Sequence, residues 1–449
     1  MDLVIPFGAD RKPLKIRLPR KQILLAQSKN PSSARDWAEV VGEALPSPIG
    51  AAPLHKQDLR GKKIVIITED RKRPSPVWQA LPLLLDELHK VGAEAANITF
   101  ITACGMHDTM TREQLAAKLG EDIVANYRCL SHDAGDRKNL VFCGLTTSGI
   151  PVWINRYAAE ADFRIALGRI YPHESYGYEG GYKMILPGVA GYDTIGHHHA
   201  TNFSETAVVG NHDSPSRRET DAVGALIRLD FLINVVVNRK REPIKAFCGE
   251  PLEVHRLGVA YGDQEVWGAE IKKPADIVVA SPGSSQPPPE GYNLEVLYRA
   301  ARAAKAGGCF IYLTAQEMAF DATEPEGLAD AALYGLDYED FRKALPSLAF
   351  EELPRLYQFR NWPLNERDIQ WRLKALRVEL YRRQRIREIN QRRVILTSDP
   401  NAALQNALSN ATPNTRVIII PEAETTLAKE KLFRVRKTLT AKTQRSQRN

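Results

Sequence analysis

The chain has 449 residues, 43% of them hydrophobic and 26% charged, and carries a formal net charge of +7. Two or three domains with cores of their own fit that length, and no run approaches the roughly 20 apolar residues a membrane helix needs, so no membrane partner is expected. Residues 428–449 hold eight Lys/Arg and one Glu, which accounts for the whole +7 and leaves the rest neutral; nucleic acid is therefore not expected as a partner either.

The opening MDLVIPFGADRKPLKIRLP mixes acid, base and proline within a dozen residues and has no apolar core of signal type, so a cytoplasmic protein is expected. Apolar runs then alternate with segments of helical length. Ile64–Ile67, Ile98–Ile101, Phe163–Leu167 and Phe231–Val237 read as strands, followed by Ile277–Ala280, Phe310–Leu313, Val394–Leu396 and Val417–Ile420. Their continuous apolar character predicts strands covered on both faces, hence largely parallel sheets. Helices are predicted near 76–91, 111–126, 214–229, 293–306, 328–347, 366–389 and 401–410. Start signals are a capping box at Thr111 and Gln114, Ser214–Pro215 and Asp399–Pro400. Residues 366–393 carry ten Lys/Arg against four acids, but Ile369, Leu373, Leu376 and Leu380 recur at helical spacing, which reads as a solvated helix face. The five cysteines never form a CxxC pair and read as reduced, buried thiols.

This pattern predicts an α/β protein of two domains, each with a largely parallel sheet flanked by helices and with the active site in the cleft between them. The expected boundaries are 1–270 for a catalytic and cofactor-binding domain, 271–427 for a second α/β domain, and 428–449 for a basic tail without structure of its own.

Polar clusters fall where strands end, which is where ligands bind in open parallel sheets. After the first strand come Asp70 and Arg73, an acid fit to orient a histidine and a guanidinium fit to grip a carboxylate with two prongs. After the second comes His107, just ahead of the capped helix, where the positive end of the dipole favours a neutral base. The richest stretch is GRIYPHESYGYEGGYKMILPGVAGYDTIGHHH, with six glycines from Gly177 to Gly196 around His173, Glu174, Lys183 and three consecutive histidines. Its glycines would offer amides to an anionic group. Lys183 is a candidate Schiff-base nucleophile or phosphate clamp. In an extended segment His197 and His199 would share one face, as metal ligands require. Ser281–Ser285, ahead of a triple proline, forms a candidate anion nest.

These residues resemble the nickel-pincer-nucleotide lactate racemase family. Asp70, Arg73 and Pro74 match its Asp-x-x-Arg-Pro element, and Gly105 and His107 match its Gly-x-His. Pro172, His173, Gly177, Gly180, Gly181, Lys183 and Pro187–Val189 match its central motif, and His199 matches a histidine sixteen residues after the lysine. The resemblance spans roughly residues 2–427. It implies a racemase or epimerase of a small-molecule 2-hydroxy acid. It also implies a nickel-pincer nucleotide (nickel with pyridinium-3,5-bisthiocarboxylic acid mononucleotide) covalent on Lys183, with Gly180 and Gly181 beside it, made by separate cofactor-biosynthesis proteins. His199 would be the metal ligand, His107 and His173 the acid/base pair, Asp70 the support of one histidine, and Arg73 the carboxylate clamp. Hydride rather than proton transfer suits the reaction, because the carboxylate already carries the charge a carbanion would add to, and a 2-oxo acid would be the intermediate.

One departure concerns the second-domain loop. The family's Gly-Gly-Tyr-Pro-Lys-Asp is replaced by residues 286–291, in which Gln286 and Glu290 are expected to bind substrate and an acid stands for a lysine. An anion there disfavours a small carboxylate and predicts a longer or polyhydroxylated acid rather than lactate. Two other readings stay open: a metal-dependent hydrolase or lyase using the histidines directly, and a non-catalytic cofactor-binding homologue.

Overall fold

The computed structural model describes residues 2–201, 207–284, 294–315 and 385–433. Gln286 and Glu290 lie outside the described residues, as do the predicted helix at 328–347 and that at 366–389 up to residue 384. Two main sheets carry the fold. In chain order their strands are β1 (Ile23–Leu25), β2 (Ile64–Glu69), β3 (Ile98–Ala103), β4 (Arg128–Ser131), β5 (Phe163–Ile170), β6 (Phe231–Val237), β7 (Pro243–Gly249), β8 (Ala275–Ala280), β9 (Ala304–Leu313), β10 (Arg393–Thr397) and β11 (Val417–Ile420). All eight predicted strands are present.

The chain divides into two compact units. One spans Ser32–Ala260 and is built on a six-stranded sheet of order β7-β6-β5-β2-β3-β4. Every neighbouring pair is parallel except β6 with β7. Alternate residues of each strand feed two cores. Ile64, Ile66, Phe100 and Ile165 pack with Trp37, Val40 and Val41 of α1 (Trp37–Ala44), Leu81 and Leu84 of α2 (Leu81–Lys90) and Leu115 of α3 (Arg112–Leu119). Val65, Ile67, Ala166 and Leu232 pack instead with Tyr182, Ile185, Tyr192 and Val223. Burial on both faces explains the unbroken apolar runs, each such side chain contributing about 1.5–3 kcal/mol. Both reciprocal bonds of the Thr111–Gln114 capping box are formed at the start of α3.

The other unit joins the N-terminal segment up to Pro31 to described residues from Tyr261 onward. Its five-stranded sheet, β10-β9-β8-β11-β1, is parallel throughout. The first residues thus fold with the second unit instead of the segment that follows them, because β1 completes that sheet beside β11. Structure also continues past residue 427: Leu427–Lys429 pairs with Gly268–Glu270, and Lys429 Nζ and the Phe433 amide both meet the buried Asp263 carboxylate, at 2.5 and 2.9 Å. Residues 434–449 lie outside the described ones. No described helix is long and apolar enough to cross a membrane.

Candidate active site

In the six-stranded sheet β2 has β3 on one side and β5 on the other, so connections leave β2 and β5 in opposite directions and their carboxyl ends open a crevice. A cavity of about 280 Å³ lies there, and every described residue that lines it belongs to Ser32–Ala260. Asp70, Arg73, His107, His173, Gly180, Lys183 and His199 are all on its wall.

Asp70 directly follows β2 and is almost fully buried. Its Oδ2 lies 2.6 Å from His107 Nδ1. His107 is carried on a turn after β3, its amide donating to the Cys104 carbonyl at 2.8 Å. That turn needs Gly105: φ is +55°, and a Cβ would stand 3.2 Å from the Pro187 carbonyl oxygen. With Nδ1–H held by Asp70, the bare nitrogen of His107 is Nε2, the state a base requires.

His173 is set differently. Its Nδ1 accepts from the amides of Ser175 and Tyr176, at 3.1 and 3.4 Å, so in the neutral ring Nε2 carries the proton. Burial, reinforced by the neighbouring Lys183 charge, holds its pKa far below the usual imidazole value. Glu179, at the other end of this short hairpin, is pinched between two guanidinium groups: Arg73 Nε at 2.7 Å and Arg169 Nε at 2.6 Å. Burial alone would raise its pKa, but the two arginines outweigh it and hold the group at about 2. Arg73 keeps its terminal nitrogens unbonded among the described residues, free for a two-pronged contact.

Lys183 sits in the short turn Gly181–Met184. Its Nζ is buried, has no hydrogen-bond partner among the described residues, and lies 4.6 Å from the centre of the Tyr176 ring. Burial, helped by the charge of Arg73, brings its pKa down to about 7. A neutral, unpartnered amine is a nucleophile. Gly180 and Gly181 are each closely confined by the protein behind the cavity wall. A Cβ at Gly181 (φ +64°) would fall 2.3 Å from Arg217 Nη2, and the Gly181 amide already donates to Asn234 Oδ1 at 2.9 Å. Gly180 is equally confined, with the Arg169 carbonyl and Asn234 Oδ1 both 2.7 Å from its would-be Cβ. The glycine density therefore serves close packing on Arg217, His255 and Asn234, and the Gly181 amide is not available to an anion.

The histidine run is helical, not extended: α4 spans Tyr192–Thr201. Positions two apart on a helix point about 200° apart, so His197 and His199 do not share a face. Instead Tyr192, Ile195 and His198 recur at threes and are buried. His198 Nε2 meets the Ser216 carbonyl at 2.9 Å and packs parallel to Tyr176, a structural role. His199 alone of the three lines the cavity, its Nε2 lying 2.9 Å from Tyr176 Oη. Among the described residues no group of three His, Cys, Asp or Glu side chains is arranged to hold a metal by itself. Sequence reading missed Glu179 and Tyr176, although both stand inside the richest motif.

The geometry can be set beside known proteins. Residues 9–210 match the family described as the lactate racemase N-terminal domain. The lactate racemase of Thermoanaerobacterium thermosaccharolyticum is 35% identical over 317 residues, covering 68% of this chain and 71% of that protein. This chain belongs to the lactate racemase family. The lactate racemase of Lactiplantibacillus plantarum is 36% identical over 240 residues, 52% of this chain and 56% of that one. The solved lactate racemase apoprotein from T. thermosaccharolyticum superimposes with a TM-score of 0.66 at 27% identity, over 95% of this chain and all of its own. Family membership makes the protein an isomerase, a racemase, and its α/β fold of largely parallel sheets is the fold of the family.

Proposed function

We propose that this racemase inverts Cα of a 2-hydroxy acid by proton-coupled hydride transfer, using a nickel-pincer nucleotide attached to Lys183. The observation that carries this reading is the unpartnered, buried Lys183 amine, brought to about 7, on the same wall as two histidines and an arginine. An amine so prepared fits covalent attachment. His199, the one member of the histidine run on the cavity wall, fits a metal that arrives with its other donors already supplied. When bound, the group would supply a reversible acceptor for the Cα hydride.

The chain's own residues do the rest. Arg73 grips the substrate carboxylate, with Glu179 fixing its Nε. His107 takes the hydroxyl proton on Nε2, and Asp70 stabilises the imidazolium that results. Arg73 would hold the planar 2-oxo acid by its carboxylate while the acid turns its other face, and a histidine of the wall would return the proton to oxygen. For the opposite enantiomer His173 is the acid/base, and it serves as base once its proton sits on Nδ1, at the expense of the Ser175 and Tyr176 contacts.

Peptide mass spectrometry on protein from a host that makes the cofactor tests the reading. An adduct on the Lys183 peptide is expected, together with Cα isotope exchange in a panel of lactate, 2-hydroxybutyrate, glycerate, malate and gluconate. A bare lysine while a known racemase from the same host is modified would overturn it.

A further inference from the structure

Lys118 lies on α3 and is 7% exposed. Its Nζ donates to the carbonyl oxygens of Arg73 and Ser75, at 2.7 and 2.8 Å. Those carbonyls flank Pro74, in the irregular segment 71–76 that leads out of β2. Pro74 and Pro76 have no N–H, so the backbone bonds the segment makes among the described residues are Arg73 N to the Asp70 carbonyl, 3.1 Å, Val77 N to the Ser75 carbonyl, 3.0 Å, and Gln79 N to the Pro76 carbonyl, 3.1 Å. Only the first of these involves Arg73 itself, which is little to hold the root of an arginine whose side chain has four rotatable torsions. Glu179 fixes the far end of that side chain, and Lys118 fixes the near end.

A buried ammonium is a costly way to do this: dehydration costs several kcal/mol, and an apolar side chain of the same length would fill the space without it. What an apolar side chain lacks is donors for the two carbonyls. The charge is compensated locally, since Glu69 and Asp70 at the end of β2 act on Lys118 in opposition to its burial. The same Asp70 carries His107, so one short segment holds the base's support and the carboxylate clamp, and Lys118 ties that segment to α3.

We infer that Lys118 is a positioning residue for Arg73, clamping the backbone on both sides of Pro74 and so setting where the substrate carboxylate is held. This rests on Arg73 being that clamp, as proposed above. The test uses loaded enzyme with the panel acid that turns over fastest, comparing wild type, K118M, K118R and R73A. K118M should raise KM at least tenfold while kcat stays within threefold. Hydrogen exchange should quicken at the Arg73 and Val77 amides but not in the peptide carrying Lys183, and K118R, which keeps donors, should recover part of the KM. Should K118M fail to fold, K118Q is measured in its place, with the same order expected. Unchanged KM and unchanged exchange in K118M, with R73A raising KM, would overturn the positioning role and leave the proposed function standing. Faster exchange throughout, with kcat and KM both damaged, would also overturn it in favour of a merely structural lysine. If R73A itself leaves KM unchanged, the carboxylate-clamp reading fails, and this inference falls with it.

Discussion

Lys183 can be interrogated without substrate or cofactor, through the pH dependence of stability. Its amine moves from an ordinary value of 10.5 in the unfolded chain to about 7 in the folded one. Between those values the unfolded state binds one proton more than the folded state, so wild-type stability gained from this group rises with pH and is lost as pH falls through 7. The slope is about 1.4 kcal/mol per pH unit, so the interval from pH 7 to pH 9 is worth roughly 2–3 kcal/mol. K183M has no such group. Relative to wild type it should be most advantaged at pH 6, where the folded protein must bury an ammonium, and should lose that advantage progressively toward pH 9. Any constant difference in packing against Tyr176 shifts both ends equally and cancels. Urea unfolding of cofactor-free protein at pH 6, 7, 8 and 9 measures it. Parallel profiles, with a gap steady to within 0.5 kcal/mol, would mean the folded amine titrates as an exposed one does, and the nucleophile argument would fail (the threshold is about a third of one unit's worth).

Two further outcomes follow, one from the cavity wall and one from the packing behind it. Asp70→Asn leaves the His107 contact but removes the charge. Two unit charges about 4 Å apart at an effective dielectric of 20 interact by about 4 kcal/mol. With His107's side chain 29% exposed, screening leaves about half of that. Initial rates in both directions should then show kcat down about 30-fold, and rates within threefold of wild type would exclude Asp70 as its support. Gly181→Ala must place a methyl 2.3 Å from Arg217 Nη2 at a φ of +64°. Left-handed strain plus overpacking should cost about 2–5 kcal/mol in urea unfolding, and a loss below 1 kcal/mol would refute the packing account of that glycine.

Legibility divides along a physical line. The strands of both sheets could be read because burial on two faces writes itself into consecutive residues. Asp70 and His107 could each be read as strand-end residues; which histidine Asp70 meets follows from the parallel neighbours β2 and β3, which bring their ends together. The histidine run was misread because period 2 and period 3.6 both accommodate three adjacent polar residues. The buried triplet Tyr192, Ile195 and His198 would have decided it, had His198 been counted with the core. Glu179 and Lys118 escaped for another reason. An acid among glycines and a lysine on a helix are ordinary surface residues until the fold surrounds them, and their roles exist only in contacts 106 and 45 positions away along the chain, to Arg73 in each case.

That Arg73 receives both contacts bears on how the site works. β2 lies next to β5 although 93 residues lie between the end of β2 and the start of β5, Thr68 and Leu167 being register partners. Glu179 reaches Arg73 from the β5 side of this junction, and Lys118 reaches it from α3, after β3. The guanidinium is thus referenced to both directions in which the chain leaves the switch point, while His107 is referenced to β2 through Asp70 and His173 belongs to the β5 side. With Arg73 as the proposed carboxylate anchor, the two histidines on the same cavity wall are supported from different strands of the sheet. That suits an inversion in which a bound planar acid is reached from either face without moving its anchor.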